Sequence, residues 1–483
     1  MLYRLLEKQR QKNPDKVAVI GERRSLTYDQ LFREARRAAI YLQSEGIGSG
    51  EYLAAGLPPG PDFYILFYAA AAVGCVLLPV PRSGKLSSRV LALGRVGAVG
   101  DSEFLQSARA AGLNIGSVIH WDSRTGLAIP KVSGNFVRRK LVKQADVLGV
   151  STSGTTGEPV IFLRSAAELY HRARLRIDGM KIRRDDVLLS VGPFTSGVNA
   201  VFHLVLPLIA GCEVVVLEQF DRRRAVDAIR DRKVTVLCSI PLTFEVLAHL
   251  PKNYSADLSS LRLCISNGAP LSKNIYQRFR ERFGTGIGQM YGGSDFAPAF
   301  TFNRGNVAEA VGQRSGYFPT KVVDSEGGEL RNGEPGEIVF DLSSVKNRAL
   351  KSILLQNPNR RGDYLYTGDL GRFDEADNLF VVGRKNSLIK VGAMRVMAGE
   401  VENVLRSHPK VRETLVFPLR AGETDEAVGA VVVRDGRLSA EELAAFCAAK
   451  LERHKCPRQI FFRRALPRNQ HGKISSYLFL NNR

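Results

Sequence analysis

A recurring alternation of short apolar runs with segments of helical period constrains this chain more than any other feature. Leu53–Leu57 predicts a strand, Asp62–Val73 a helix and Leu77–Val80 a second strand. The rhythm returns as Val187–Val191 (strand), Val201–Ala210 (helix), Glu213–Leu217 (strand), Arg223–Arg230 (helix) and Val234–Ser239 (strand). Parallel strands need a crossover, usually a helix, so this order predicts parallel sheets covered on both faces. Nearer the start, Thr27-Tyr28-Asp29-Gln30 has the form of a capping box. Leu31, Ala35, Ala38, Ala39 and Leu42 follow it at helical spacing, and Gly46 ends the run.

Residues 82–145 show no legible period. After Pro335 the pattern turns strand-rich, through Glu337–Asp341, Tyr364–Tyr366 and Leu379–Val382. From Lys385 a compact α/β tail begins, with helices near Ala398–Ser407 and Ala440–Arg453. A chain of 483 residues, 44% hydrophobic, can build two or more cores. The expected fold class is α/β: a large N-terminal body of sheets flanked by helices, with a β-rich subdomain, plus a small C-terminal α/β domain. The boundary is expected near Arg384–Asn386, giving domains 1–384 and 385–483.

Several function classes are disfavoured. The uncharged run Phe63–Pro81 is broken by Gly74 and Pro79 and reads as a helix followed by a strand, so no membrane span is expected. Met1-Leu2-Tyr3-Arg4 leads straight into charged Glu7-Lys8-Gln9-Arg10, so no signal peptide is expected. The six cysteines form no CxxC pair, which argues for core packing in a reducing, cytoplasmic setting. The net charge of +21 suits polyanions, yet its basic residues are scattered without a nucleic-acid motif, which argues against nucleic-acid binding as the main function.

The loop Thr152-Ser153-Gly154-Thr155-Thr156-Gly157-Glu158-Pro159 follows apolar Val147-Leu148-Gly149-Val150. Alternating hydroxyls and glycines there offer backbone and side-chain donors to an anion. Further segments accompany it in order: Ser266-Asn267-Gly268-Ala269-Pro270-Leu271, Tyr291-Gly292-Gly293-Ser294-Asp295, Tyr366-Thr367-Gly368-Asp369 and Gly383-Arg384. Lys390-Val391-Gly392-Ala393-Met394-Arg395, running to Glu400-Val401-Glu402, and Leu466-Pro467-Arg468-Asn469-Gln470-His471-Gly472-Lys473-Ile474 complete the series.

In this order and spacing the set resembles the adenylate-forming superfamily: acyl- and aryl-CoA synthetases, adenylation domains of peptide synthetases, and luciferases. The resemblance covers nearly the whole chain. It implies an ATP- and Mg²⁺-dependent ligase that converts a carboxylic acid to an acyl adenylate and passes the acyl group to a thiol. Thr152, Ser153, Gly154, Thr155, Thr156 and Gly157 would hold phosphates, with Ser294 assisting. Thr156 and Asp295 would serve Mg²⁺, a hard ion suited to oxygen ligands. Gly268, Ala269 and Pro270 would line the adenine, with Tyr291 and Gly292 completing the nucleotide site. Asp369 would accept the ribose hydroxyls and Arg384 would reach ribose or phosphate. Lys473 would bridge substrate carboxylate and α-phosphate, carried in by a mobile C-terminal domain turning about Asn386.

The resemblance is imperfect. Pro159 is followed by Val160 where the family usually has lysine, with Arg164 the candidate replacement cation. Asp295 stands for the usual Glu, Asn386 is neutral, and Ser343–Asn359 lacks the expected glycine-rich match. These departures keep a nucleotide-binding member with little turnover among the alternatives.

Phe194, Thr195, Gly197 and Asn199, with Gly293, would frame the acid. Thr195 stands where amino-acid-activating relatives carry an aspartate for the substrate ammonium. An unpaired buried ammonium is costly, so an acid without an α-amine is expected. The acceptor is CoA or, alternatively, the phosphopantetheine arm of an acidic carrier protein; both are anions that suit a basic C-terminal segment. His203 reads as a core or rim residue.

Overall fold

The computed structural model describes residues 1–82, 86–130, 136, 146–152, 160–251, 257–293, 300–314, 318–385, 388–392, 394–420 and 426–468. Two compact units divide the chain. The first comprises residues 1–239 and 251–263, the second residues 240–250 and 264–483.

In the first unit, among the described residues, Val236–Ser239, Val187–Ser190, Glu213–Val216 and Val17–Ile20 lie side by side in that order, all parallel, with Ser25–Thr27 antiparallel at the edge. A seven-stranded sheet holds Tyr52–Gly56, Val76–Pro79, Val96–Gly100 and Ile115–Asp122, and it continues into Asp146–Thr152 and Val160–Ser165. The mixed α/β class read from the alternation is therefore what the chain adopts.

The helix Tyr28–Ser44 starts on the predicted capping box: the Gln30 amide donates to the Thr27 hydroxyl, and the Gln30 side chain accepts from the Thr27 N–H. Its predicted apolar stripe is buried. Pro61–Val73 is apolar all round and buried along nearly its whole length, as a helix in the middle of a large core must be.

The expected helix Val201–Ala210 differs in detail. Gly197–Ala200 is α-helical, Val201–Val205 is a π-helical turn, and α-helix resumes at Leu206–Ala210. The physical reason is Pro207, which has no N–H to offer a carbonyl one turn back. Two tyrosines from Pro61–Val73 supply donors instead. Tyr64 Oη donates to the His203 carbonyl and Tyr68 Oη to the Leu204 carbonyl, both at 2.6 Å.

The second unit carries Leu263–Asn267 paired in parallel with Ile287–Tyr291, and Thr301–Asn303 antiparallel to the latter. Its antiparallel sheet includes Thr320–Val323, Gly336–Asp341, Tyr364–Phe373 and Asn378–Arg384. Tyr364–Phe373 extends well beyond the predicted Tyr364–Tyr366. In the tail, Val411–Arg420, Glu426–Arg434 and Gln459–Phe462 form a sheet. The helices Ala398–Arg406 and Ala440–Ala448 pack on it around a core of Val401, Leu405, Ala430, Val432 and Leu443. The second of these helices stops short of Arg453, and Arg453–Lys455 forms a separate 3₁₀ turn.

All six cysteines are free; five are buried and Cys456 is partly exposed. Among the described residues no helix is long and apolar enough to cross a membrane.

Candidate functional site

In the first unit, strand Asp146–Thr152 carries the chain to the hydroxyl-and-glycine loop. The Ser151 amide donates to the Thr195 carbonyl at 2.9 Å, joining the base of that loop to the segment expected to frame the acid. Phe194 is buried, its ring 4.9 Å from Phe63 and 5.7 Å from Tyr64. Thr195 and Gly197 are partly exposed. Asn199 Nδ2 donates to the Pro193 carbonyl at 3.2 Å, closing the turn on itself. Arg164 sits in an ion pair with Glu168 at 3.2 Å and lies over the Phe162 ring.

His203, on the π-helical turn, is 1% exposed, and neither ring nitrogen has a hydrogen-bond partner. Burial pushes its pKa down to about 4, an effect only partly offset by the nearby backbone of Asn199 and Leu189. It is a neutral core residue, as its position on an apolar helix suggested.

The second unit assembles a polar cluster. Leu263–Asn267 and Ile287–Tyr291 run parallel with Asn267 opposite Met290, so Gly268 and Tyr291 lie at the same end of the two strands. Gly268 turns the chain at φ +80°, a conformation that favours glycine, and Gly268, Ala269 and Pro270 are exposed. Gln289 braces this end: its Oε1 accepts from the Leu271 amide at 3.0 Å and its Nε2 donates to the Ala310 carbonyl at 3.2 Å.

Asp369 and Arg384 face each other across antiparallel strands, and Arg384 Nε lies 2.9 Å from Asp369 Oδ1. Tyr291 Oη donates to Asp369 Oδ2 at 2.7 Å. Burial, and next the Asp369 charge, holds the Tyr291 phenol well above its ordinary pKa, so it stays a donor at neutral pH. Asp369 is only 5% exposed, whereas the Arg384 side chain is 55% exposed. A buried carboxylate with one oxygen held by a phenol and the other by a half-exposed cation is preorganised to accept hydroxyls. Gly292 and Gly293 follow Tyr291 immediately.

Sequence reasoning did not find Gln289 or Glu337. Glu337 is 9% exposed, and it accepts from the Gly368 amide at 3.1 Å and from Lys385 Nζ at 2.8 Å. The signal was a lone carboxylate in the otherwise apolar Gly336–Phe340. Of the remaining candidates, Ser153, Gly154, Thr155, Thr156, Gly157, Ser294, Asp295, Asn386 and Lys473 lie outside the described residues, and Thr152 is described in its backbone alone. Among the described residues no group of three or more His, Cys, Asp and Glu side chains could hold a metal ion.

The chain matches known proteins along most of its length. A family model described as AMP-binding enzyme matches residues 6–99 and 117–346. A second, described as AMP-binding enzyme C-terminal domain, matches residues 400–473. The chain is 25% identical to 4-coumarate–CoA ligase 3 of Oryza sativa subsp. japonica over 93% of its length and 86% of that protein. It is 26% identical to indoleacetate–CoA ligase of Aromatoleum aromaticum over 95% and 94% of the two chains. The crystal structure of ATP-bound MatB from Rhodopseudomonas palustris shares the fold with a TM-score of 0.85 at 23% identity, covering 100% of this chain and 99% of that one.

Proposed function

The chain belongs to the AMP-binding enzyme family, and from that premise we propose that it is an AMP-forming acid–thiol ligase whose acceptor is CoA. The Tyr291–Asp369–Arg384 cluster supports this reading, because it brings three separately located sequence motifs to one buried carboxylate suited to accept a sugar diol. The curated relatives named above are CoA ligases for aryl or arylalkyl acids, which supports an acid of that kind and CoA as the thiol. A phosphopantetheinyl carrier protein is the alternative acceptor.

The chemistry proceeds in two displacements. An oxygen of the substrate carboxylate attacks the α-phosphorus of ATP; the acyl–O–P bond forms, the bond to the β-phosphate oxygen breaks, and pyrophosphate leaves. A thiolate then attacks the acyl carbon, the thioester bond forms, and AMP departs with the electron pair. Both steps develop charge on phosphate oxygens, so donors fixed beforehand lower the barrier.

Asp369 holds the ribose hydroxyls, with Tyr291 and Arg384 fixing its two oxygens. Gly268, Ala269 and Pro270 offer a flat, side-chain-poor edge to the adenine. Thr152, Ser153, Gly154, Thr155, Thr156, Gly157 and Ser294 are assigned to the phosphates, and Lys473 to the meeting of carboxylate and α-phosphate. Thr156 and Asp295 are hard oxygen donors that fit Mg²⁺, which would neutralise phosphate charge when bound. Phe194, Thr195, Gly197, Asn199 and Gly293 are assigned to the acid, with Thr195 disfavouring an α-ammonium. Residues 1–384 are assigned to the body and 385–483 to a domain turning at Asn386; this boundary differs from that of the two compact units, and the separate family match to residues 400–473 supports it.

Acid-dependent ATP–pyrophosphate exchange across fatty, aromatic and α-amino acids tests the reading. Aromatic or arylalkyl acids are expected to support exchange. Preference for any α-amino acid over its des-amino analogue would overturn the role of Thr195.

A further inference from the structure

The strand bearing Asp369 is irregular in one place. Gly336–Asp341 pairs with Tyr364–Phe373 so that Val339 faces Tyr366 but Glu337 faces Leu370. One residue, Ile338, therefore stands against three on the other strand, and Thr367-Gly368-Asp369 bulges out of this ladder. A bulge leaves backbone groups without their ladder partners. Here side chains and a neighbouring carbonyl replace them. Gly368, at φ +72°, donates its amide to Glu337 Oε1, and Thr367 Oγ1 donates to the Ile338 carbonyl at 2.8 Å. The Asp369 amide donates to Thr367 Oγ1 at 3.1 Å.

The second oxygen of Glu337 is also engaged. Oε2 accepts from Lys385 Nζ at 2.8 Å, and Lys385 directly follows Arg384, the residue paired with Asp369. One buried carboxylate thus holds both the turn that projects Asp369 and the strand end that presents Arg384.

We infer that Glu337 is a positioning residue for ribose recognition, acting through Gly368 on Asp369 and through Lys385 on Arg384. This rests on the reading of Asp369 as the acceptor of the ribose hydroxyls. A bulge without its brace can rotate the Asp369 carboxylate away from the two hydroxyls, and the resulting loss falls on the diol rather than on base or phosphates. Glu337→Gln keeps an acceptor for Gly368, whereas Glu337→Ala removes both arms. Lys385→Met removes the second arm alone, at a side chain that is 50% exposed.

The test is the ratio of kcat/KM for ATP to kcat/KM for 2′-deoxy-ATP in acid-dependent pyrophosphate exchange, using the full-length protein. The parent should prefer ATP. Glu337→Ala should cut that preference about ten-fold, the size of one weak hydrogen bond to a charged group, and Glu337→Gln should restore most of it. General loosening of the fold would slow both nucleotides alike and leave the ratio unchanged. A parental ratio in active Glu337→Ala overturns the proposal alone, and absence of exchange in the parent overturns it together with the activating reading. If Glu337→Ala does not fold, Lys385→Met decides: a drop of about two-fold supports the second arm, and a parental ratio overturns the proposal.

Discussion

Replacing His203 by Leu should remove a specific acid weakness from the first unit. The imidazole is enclosed on the π-helical turn with neither nitrogen hydrogen-bonded, and its pKa falls from 6.5 to about 4. The unfolded chain therefore takes up a proton near pH 6.5, while the folded chain resists protonation until about pH 4. Because the folded pKa is depressed, the stabilisation is fully present above pH 6.5 and is lost as the pH falls toward about 4. At about 1.4 kcal/mol per pH unit, the parent should lose about 3 kcal/mol across that window through this residue. Leucine has similar volume and no proton to gain. Urea unfolding followed by the fluorescence of Trp121, the chain's single tryptophan and a buried member of the same unit, reads the effect locally. The difference in unfolding free energy between variant and parent should grow steadily from pH 7 to pH 4.5. Parallel curves over that range would refute the argument and place His203 in contact with a partner or with water.

Other changes should give equally definite results. Asp369→Asn keeps the shape of the cluster but removes its charge, so kcat/KM for ATP should fall roughly ten- to a hundred-fold in a titration with nucleotide. Lys473→Ala should remove most exchange, about a hundred-fold or more, in a protein with unaltered circular dichroism; parental exchange would remove its assigned role. Burial, and next the charge of Glu413, raises the pKa of Glu245, whose partner is Arg412 at 3.4 Å. The folded chain thus holds the Glu245 proton more tightly than the unfolded one, and the associated stability is present below pH 4.5 and lost as pH rises through the folded value. Glu245→Gln should accordingly gain melting temperature relative to the parent at pH 7.5 and not at pH 4, as differential scanning calorimetry will show.

What the sequence revealed and what it hid follow from the range of the interactions involved. The capping box at Thr27 is local, so four residues predict it and the structure contains it. The apolar stretch around Phe63–Val73 announces its burial through composition alone. The stretch 82–145 shows no legible period because its described strands lack the usual marks. Val96–Gly100 is built from small residues, and Gly56 and Gly100 leave room for the Phe104 ring, into which a Cβ at either position would run. Glycines there serve close packing and imitate turn signals. The π-helical turn depends on Pro207 acting together with Tyr64 and Tyr68 from far upstream, a combination that periodicity cannot express. Tyr291, Asp369 and Arg384 were each picked out by their motifs, but Glu337 required the bulge to be seen, since its partners Gly368 and Lys385 are distant in sequence.

The most direct test of the central claim is the complete reaction, with ATP, Mg²⁺, CoA and an aromatic acid, resolved by liquid chromatography and mass spectrometry. AMP and the acyl-CoA thioester should accumulate in equal amounts, with pyrophosphate formed and no ADP. Formation of ADP, or no acid-dependent AMP with any acid of the panel, would contradict the account.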